Sequence, residues 1–373
     1  VQKSLQSIIA GNGITIQFGG NDYLNEKIIK RAINNINTNN FPAEIYPREI
    51  KKWLLLLHSI IPDILEGKYD KYTYMEELKR SLVVFKKKYN HINKKTKVHK
   101  FGFEDYFLVH FLFCHKNRIT NPERYNFTES LRCLFLDSIY NHGKVQNIYV
   151  NYPLRFVDFL KNFDNIFTTN YDWNLEKVVD KEVQYLHGAF HHLSEVYDVE
   201  SFRNRMPDSP IKSATMVKGC EHLYSDALTS YSGENKRFSL DMGINANIAV
   251  ENFVNESEQN PDLWHEIESW EDDASPAVRN LFHSIMLKKH DKSLRFKENT
   301  SLNNISNLQG IVVIVGLSPD NDNHIFDFIR NNINISKVVF YYYDECQVAL
   351  LKEILPDKNL IFKNVIDLWK SFY

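Results

Sequence analysis

Four short segments carry residues whose types and spacing could do chemistry. Gly11-Asn12-Gly13-Ile14-Thr15-Ile16-Gln17-Phe18-Gly19-Gly20-Asn21-Asp22-Tyr23 lies between a predicted strand and a predicted helix. Glycines there let the backbone approach a pyrophosphate, and the free N–H groups of a helix start can hold phosphate charge. An ordinary tight turn accounts for the same glycines. Thr168-Thr169-Asn170-Tyr171-Asp172 sits at the carboxyl end of a second predicted strand. Asn170 can orient a ribose hydroxyl or a water, with Asp172 to steady it, or the two residues cap a helix leading to Leu175. Leu186-His187-Gly188 ends the next strand. His187 there can act as general base near neutral pH while Gly188 lets a substrate come close, or the histidine is structural. In Gly316-Leu317-Ser318-Pro319-Asp320, Gly316 and Ser318 could bind phosphate or ribose, whereas Asp320 and Asp322 could cap the helix at His324. Taken singly, the structural account is the simpler one for the first three segments and an equal alternative for the fourth.

The elements around these segments alternate between strand and helix. Ser4–Ala10 reads as a strand, and Leu24–Ile36 carries apolar residues at helical spacing. Gly310–Gly316 is a continuous apolar run, the pattern of a strand buried on both faces of a parallel sheet. A helix at His324–Asn332, a strand at Lys337–Tyr343, a helix at Gln347–Ile354 and a final strand and helix in Asn359–Phe372 follow. The middle adds the helix Leu154–Asn162, strands at Asn165–Thr169 and Val183–Leu186, and a short helix around Leu175–Val179. This pattern predicts an α/β fold: a doubly wound, mostly parallel Rossmann-like sheet formed discontinuously by residues 1–41, 151–190 and 305–373. In such a sheet the ligand sits at the carboxyl ends of the strands. Residues 42–150 predict a large, packed helical insertion, with helices at Ile50–Ile64, Met75–Tyr89, Phe103–Cys114 and Phe127–Tyr140. Residues 191–304 predict a second, mixed and mostly polar insertion with a helix at Pro276–Met286.

Composition narrows the function classes. The chain has 373 residues, 43% hydrophobic and 25% charged, the mix of a globular protein with a sizeable core. With 45 basic against 47 acidic residues there is no global attraction to nucleic acid or anionic lipid. The run Lys86–Lys100 holds seven lysines but no regularly interleaved aromatic residues, which predicts a solvated loop. No apolar run is long enough to span a membrane. Val1-Gln2-Lys3 has no signal-peptide layout, and a start without methionine is expected of a processed or trimmed chain. Cys114, Cys133, Cys220 and Cys346 are far apart, so neither a disulfide framework nor a zinc ribbon is expected, and a reducing cytoplasm is the default. His191 and His192 lack further ligands at metal spacing, and His265-Glu266 lacks the second histidine of a metalloprotease motif.

In their order along the chain, the four segments resemble the motifs of the sirtuin family. Gly11–Tyr23 is similar to the sirtuin NAD-binding segment G-A-G-I-S-x-x-x-G-I-P-D-F at matching length. Gly11, Gly13, Ile14, Gly19 and Asp22 match; Asn12 stands for alanine, Thr15 for serine, Gly20-Asn21 for Ile-Pro and Tyr23 for phenylalanine. Thr168–Asp172 resembles T-Q-N-I-D, His187-Gly188 the catalytic H-G, and Gly316-Leu317-Ser318 the late G-T-S. Sirtuin deacylases carry a four-cysteine zinc module after the H-G motif, where this chain has only Cys220 and Cys346. The G-N-G start, the T-T-N-Y-D form and the helical insertion look instead like the sirtuin-like NAD+ hydrolase domains of bacterial antiphage, abortive-infection systems.

This resemblance implies a set of roles. NAD+ is the substrate, cleaved to nicotinamide and ADP-ribose without a metal. Asn170 and His187 are the catalytic residues, and Gly11, Asn12, Gly13, Thr15, Asp22, Asp172, Gly316 and Ser318 bind the dinucleotide. The implied setting is an antiviral effector in the cytoplasm, working as a homo-oligomer or with a companion defence protein and answering a phage-derived trigger. Neither membrane nor nucleic acid is an expected partner. Two alternatives stand beside it: a non-catalytic sensor of NAD+ or an ADP-ribose derivative, and a NAD-dependent protein deacylase.

Overall fold

The computed structural model describes residues 5–38, 49–92, 95–121, 123–207 and 216–373. Ser4 of the first predicted strand, residues 42–48 of the helical insertion and Lys94 of the lysine run lie outside them. Among the described residues one sheet forms from β1 (Gln6–Ala10), β2 (Asn165–Thr168), β3 (Val183–Tyr185), β4 (Gly310–Val315), β5 (Ile335–Tyr342) and β6 (Leu360–Asn364). The strand order is β3-β2-β1-β4-β5-β6, and every neighbouring pair is parallel. The chain therefore moves outward from β1 in one direction and, after β3, resumes at β4 on the other side. β1 and β4 are adjacent, and the reversal between them makes a crevice at their carboxyl ends.

Successive side chains of a strand point to opposite faces, and here both faces are covered. Ile8, Ala10, Val313 and Val315 enter one core cluster. Ile9, Val312 and Ile314 enter the other. This is why β1 and β4 read as continuous apolar runs. Between β1 and β2 the chain forms α1 (Asn12–Gly19), α2 (Asn25–Thr38), α3 (Ile50–Leu65), α4 (Glu76–Tyr89), α5 (Asp105–Asn117), α6 (Glu123–Tyr140) and α7 (Leu154–Lys161). The apolar stripes of α3 to α6 pack into the same cluster as α1, α2 and α7, so the helical insertion is continuous with one face of the sheet.

Between β3 and β4 come α8 (Phe202–Arg205), α9 (Gly233–Gln259), α10 (Pro261–Ser269), α11 (Pro276–His290) and α12 (Ser301–Ser306). The segment expected to be mixed is thus mainly helical where it is described, with a single isolated antiparallel bridge, Leu193 to Ser225. The pattern was hard to read because α9 turns polar residues inward: Lys236, Asn247 and Ser257 are buried alongside Leu240, Val250 and Val254. Then follow α13 (Asn323–Asn331) after β4, α14 (Glu345–Ile354) after β5 and α15 (Val365–Ser371) after β6. Among the described residues no helix is long and apolar enough to cross a membrane.

The helix expected around Leu175–Val179 does not form. Asp172 Oδ1 accepts from the backbone N–H of Asn174 at 3.0 Å and from its side-chain amide at 2.6 Å, closing a local turn that competes with a helix start. Asn170 and Asp172 therefore cap no helix.

The crevice is closed at its base by glycines. The N–H of Gly11 donates to the Val315 carbonyl at 2.9 Å, and that of Gly13 to the Gly316 carbonyl at 3.1 Å. A β-carbon on Gly13 would stand 2.6 Å from the Gly316 α-carbon, and one on Gly11 2.5 Å from the Gly316 oxygen. Gly316 also has a φ of +77°. Backbone meets backbone here, so no side-chain motion can relieve a clash. Gly13→Ala is expected to cost about 1–3 kcal/mol by overpacking. Gly316→Ala adds left-handed strain and should cost more. Gly20→Ala, with φ of +88° but nothing within 4 Å of its β-carbon, should cost less than Gly316→Ala. Calorimetric unfolding of the three variants checks that order.

Candidate functional site

A cavity of about 1290 Å³ lies over the carboxyl ends of the strands, with residues from all four sequence segments in its wall. Asn12, Gly13 and Thr15 come from the start of α1, Asn170 and Asp172 from the turn after β2, His187 from the turn after β3, and Gly316 and Ser318 from the turn after β4. Two expected residues are placed elsewhere. Gly11 is buried beneath the cavity, its carbonyl accepting from the Asn170 side-chain amide at 3.4 Å. Asp22 is exposed, and its neighbours Asn21 and Tyr23 line the wall instead.

The polar groups on the floor form one connected chain. Thr168 Oγ1 donates to the Ala10 carbonyl at 3.1 Å and accepts the Asn170 N–H at 3.0 Å, which fixes the turn after β2 against the end of β1. The Asn170 amide donates to Thr15 Oγ1 at 3.0 Å. Thr15 also acts on the nearby Asp172 carboxyl, lowering its pKa against the rise that burial imposes. A hydroxyl at position 15 thus ties Asn170 of the T-T-N-Y-D segment to α1. The Asn12 side chain reaches the Tyr23 carbonyl at 3.4 Å and pins the following turn. Since the amides of Gly11, Gly13 and Ile14 are all bonded within the protein, the glycine turn shapes the site chiefly through backbone proximity.

His187 is held from the side of the second insertion. Its carbonyl accepts the Leu228 N–H at 2.9 Å, and the Ala189 N–H donates to Asp226 Oδ1 at 2.8 Å. Gly188, with φ of +74°, makes room for the Asp226 backbone, whose oxygen would stand 2.2 Å from a β-carbon there. The glycine therefore admits protein backbone where a substrate approach was expected. Residues 223–228 of that insertion are anchored to α6 by Arg132, which donates to the carbonyls of Leu223 and Ala227.

The His187 ring is buried, and its Nε2 lies 2.9 Å from Nε2 of His324 on α13. Burial, with Lys236 and His324 nearby, lowers the pKa of His187 well below the ordinary value. Burial likewise lowers that of His324, to about 3. Both rings are neutral at physiological pH. Lys236 of α9 is buried beside them and forms a 2.6 Å ion pair with Glu104 from the helical insertion. Burial opposes its charge, but Glu104 and Asp322 outweigh that and hold its pKa above the ordinary lysine value. Asp322 makes no side-chain cap on α13, and burial raises its carboxyl to about 6.

Sequence reasoning did not assign His324, Lys236 or Glu104 to the site. Lys236 and Glu104 carry no local motif, and each insertion supplies one of them. His324 was the first residue of a predicted helix and belonged to none of the four segments. Comparisons of the chain with family models, with curated proteins and with solved structures find no match. The lysine run expected to be a loop begins inside α4, whose last turn holds Lys86, Lys87 and Lys88. Lys86 pairs with Asp70, Lys88 with Asp105 and Lys100 with Glu26, and Lys88 and Lys100 line the cavity.

Burial raises the Asp172 carboxyl from 3.8 to about 6, against the lowering effect of its bonds from Asn174. Between pH 4 and 6 the folded protein thus holds a proton that the unfolded chain has released. Asp172 favours folding at low pH and becomes a cost as pH rises through about 6. Asp172→Asn keeps the acceptor for Asn174. It should match wild type below pH 4 and exceed it by on the order of 3 kcal/mol at pH 8. Urea unfolding of both proteins at the two pH values measures this difference.

Proposed function

We propose that the protein is an NAD+ glycohydrolase that cleaves the nicotinamide–ribose bond to give nicotinamide and ADP-ribose. The observation that carries this reading is the convergence of Asn12, Gly13, Thr15, Asn170, Asp172, His187, Gly316 and Ser318 on one cavity beside the reversal of strand order. That is where parallel α/β sheets take dinucleotides. The volume of about 1290 Å³ accommodates one.

In this reading the pyrophosphate lies over Asn12–Thr15 and the adenosine end runs toward Ser318 and the last strands. Departure of neutral nicotinamide leaves positive charge on the ribose. Asn170, oriented by Thr15, holds the ribose and the attacking water. Asp172 sits near Thr15, its carboxyl raised by burial to about 6. Neutral His187 takes the proton from water or from a ribose hydroxyl, a role worth about 10²–10⁴ in rate. The G-N-G start, the T-T-N-Y-D form and the helical insertion, which resemble the sirtuin-like domains of such systems, support a place in bacterial antiphage defence, as an abortive-infection effector that depletes NAD+. Such an effector must be silent at rest, and a phage-derived trigger, a homo-oligomer or a companion protein would release it.

One observation favours a second reading, a sensor that binds NAD+ or an ADP-ribose derivative without cleaving it. His187 spends Nε2 on His324, and its depressed pKa makes it a weak base. Release of free nicotinamide from NAD+ separates the two. Hydrolysis predicts nicotinamide release by wild type, in cells under phage challenge if not with the resting protein, and no turnover of an acetyl-lysine peptide. His187→Ala and Asn170→Ala should each abolish NAD+ loss with unchanged circular dichroism. Full turnover in both variants contradicts the assignment; binding of NAD+ without nicotinamide release under either condition favours the sensor.

A further inference from the structure

Two buried imidazoles that share a hydrogen bond through Nε2 can be arranged in two ways. In the first, His187 carries the proton on Nε2 and donates to His324, so that His187 Nδ1 is an unprotonated acceptor and His324 carries its proton on Nδ1. In the second the roles reverse, and His187 presents Nδ1–H. The surroundings of His324 decide between them. Its Nδ1 is buried without a hydrogen-bond partner, and so is Oδ1 of the adjacent Asn323. Both atoms face the backbone of Gly233 at the start of α9. A β-carbon at Gly233 would stand 1.8 Å from Asn323 Oδ1 and 2.7 Å from His324 Nδ1, so the two unpaired atoms are close neighbours. The first arrangement makes them complementary, an N–H donor beside a carbonyl acceptor. The second sets lone pair against lone pair, which in a buried site costs the desolvation of both groups.

We propose that Asn323 and His324 form a positioning relay that fixes His187 in the tautomer presenting an unprotonated Nδ1 to the cavity. The logic is that of a base oriented by a second group and that group by a third, so that the basic nitrogen is free toward the ligand without reorganisation. The charged groups around the pair fit this role. Lys236 and Arg237 of α9 disfavour protonation of His324, while Glu104 and Asp322 compensate Lys236. The relay therefore turns neutral imidazoles and does not store a charge. Gly233 belongs to the second insertion, so that insertion supplies the space in which the relay stands. The catalytic meaning of the relay rests on the NAD+-cleaving reading; the tautomer does not.

Nitrogen-15 NMR of the protein with ring-labelled histidine tests the two separately. In wild type, His187 should show a protonated Nε2 and an unprotonated Nδ1, and His324 a protonated Nδ1. His324→Ala should turn His187 into a mixture of tautomers. His324→Gln, whose side-chain oxygen can accept the Nε2–H, should retain the wild-type form. With NAD+ as substrate, His324→Ala should lower kcat by about 10²–10⁴-fold with KM little changed, and His324→Gln should recover part of it. A wild-type His187 protonated on Nδ1, or an unchanged tautomer in His324→Ala, overturns the relay. The expected tautomers in a protein that releases no nicotinamide sustain the relay and count against the hydrolase.

Discussion

Three glycines let two loop backbones touch, and the rest of the site is arranged around that contact. β1 and β4 are neighbours that send their chains in different directions, so their carboxyl ends must pass each other closely before diverging. Hydrogen bonds from Gly11 to Val315 and from Gly13 to Gly316 close the gap, with no room for a side chain between them. The crossing forms the base of the crevice and brings Thr15 to the Asn170 amide on one side. On the other it places Ser318 and the start of α13, which carries His324 to His187. The glycine turn, open in the sequence to both a tight turn and a phosphate cradle, is in physical terms a close crossing of two backbones.

Much of the sheet was legible in the sequence because parallel strands buried on both faces leave a strong signature. The run at Gly310–Val315 is apolar at every buried position, and in Asn165–Thr168 the adjacent Ile166 and Phe167 enter one core each. The helices of the first insertion were equally plain from the spacing of leucine and phenylalanine. What escaped was structure whose inward positions are polar. α9 buries Lys236, Asn247 and Ser257, so its inner face does not look hydrophobic. The turn at Asp172–Asn174 escaped for the converse reason, since a residue good at capping a helix is equally good at closing a turn without one.

The candidate site was legible only in part. Asn170, Asp172, His187 and Ser318 could be nominated because each stands at the end of a strand. His324, Lys236 and Glu104 could not, because their relevance depends on contacts across the chain: 137 residues separate the two histidines. They constitute a buried, nearly self-compensated group of charges and neutral rings to which both insertions contribute. Such a group is costly when any member loses its partner, and that cost ties the arrangement of the insertions to the geometry of the cavity. The insertions are thus part of the site's construction as well as appendages to the sheet.

The measurement that bears most directly on this account is a structure of the His187→Ala variant determined with NAD+ at saturating concentration. The account predicts one dinucleotide spanning the crevice, with its pyrophosphate at Asn12–Thr15, its nicotinamide ribose against Asn170 and its adenosine toward Ser318. A dinucleotide bound away from the glycine crossing, or a crevice that stays empty while the protein is fully folded, would contradict it.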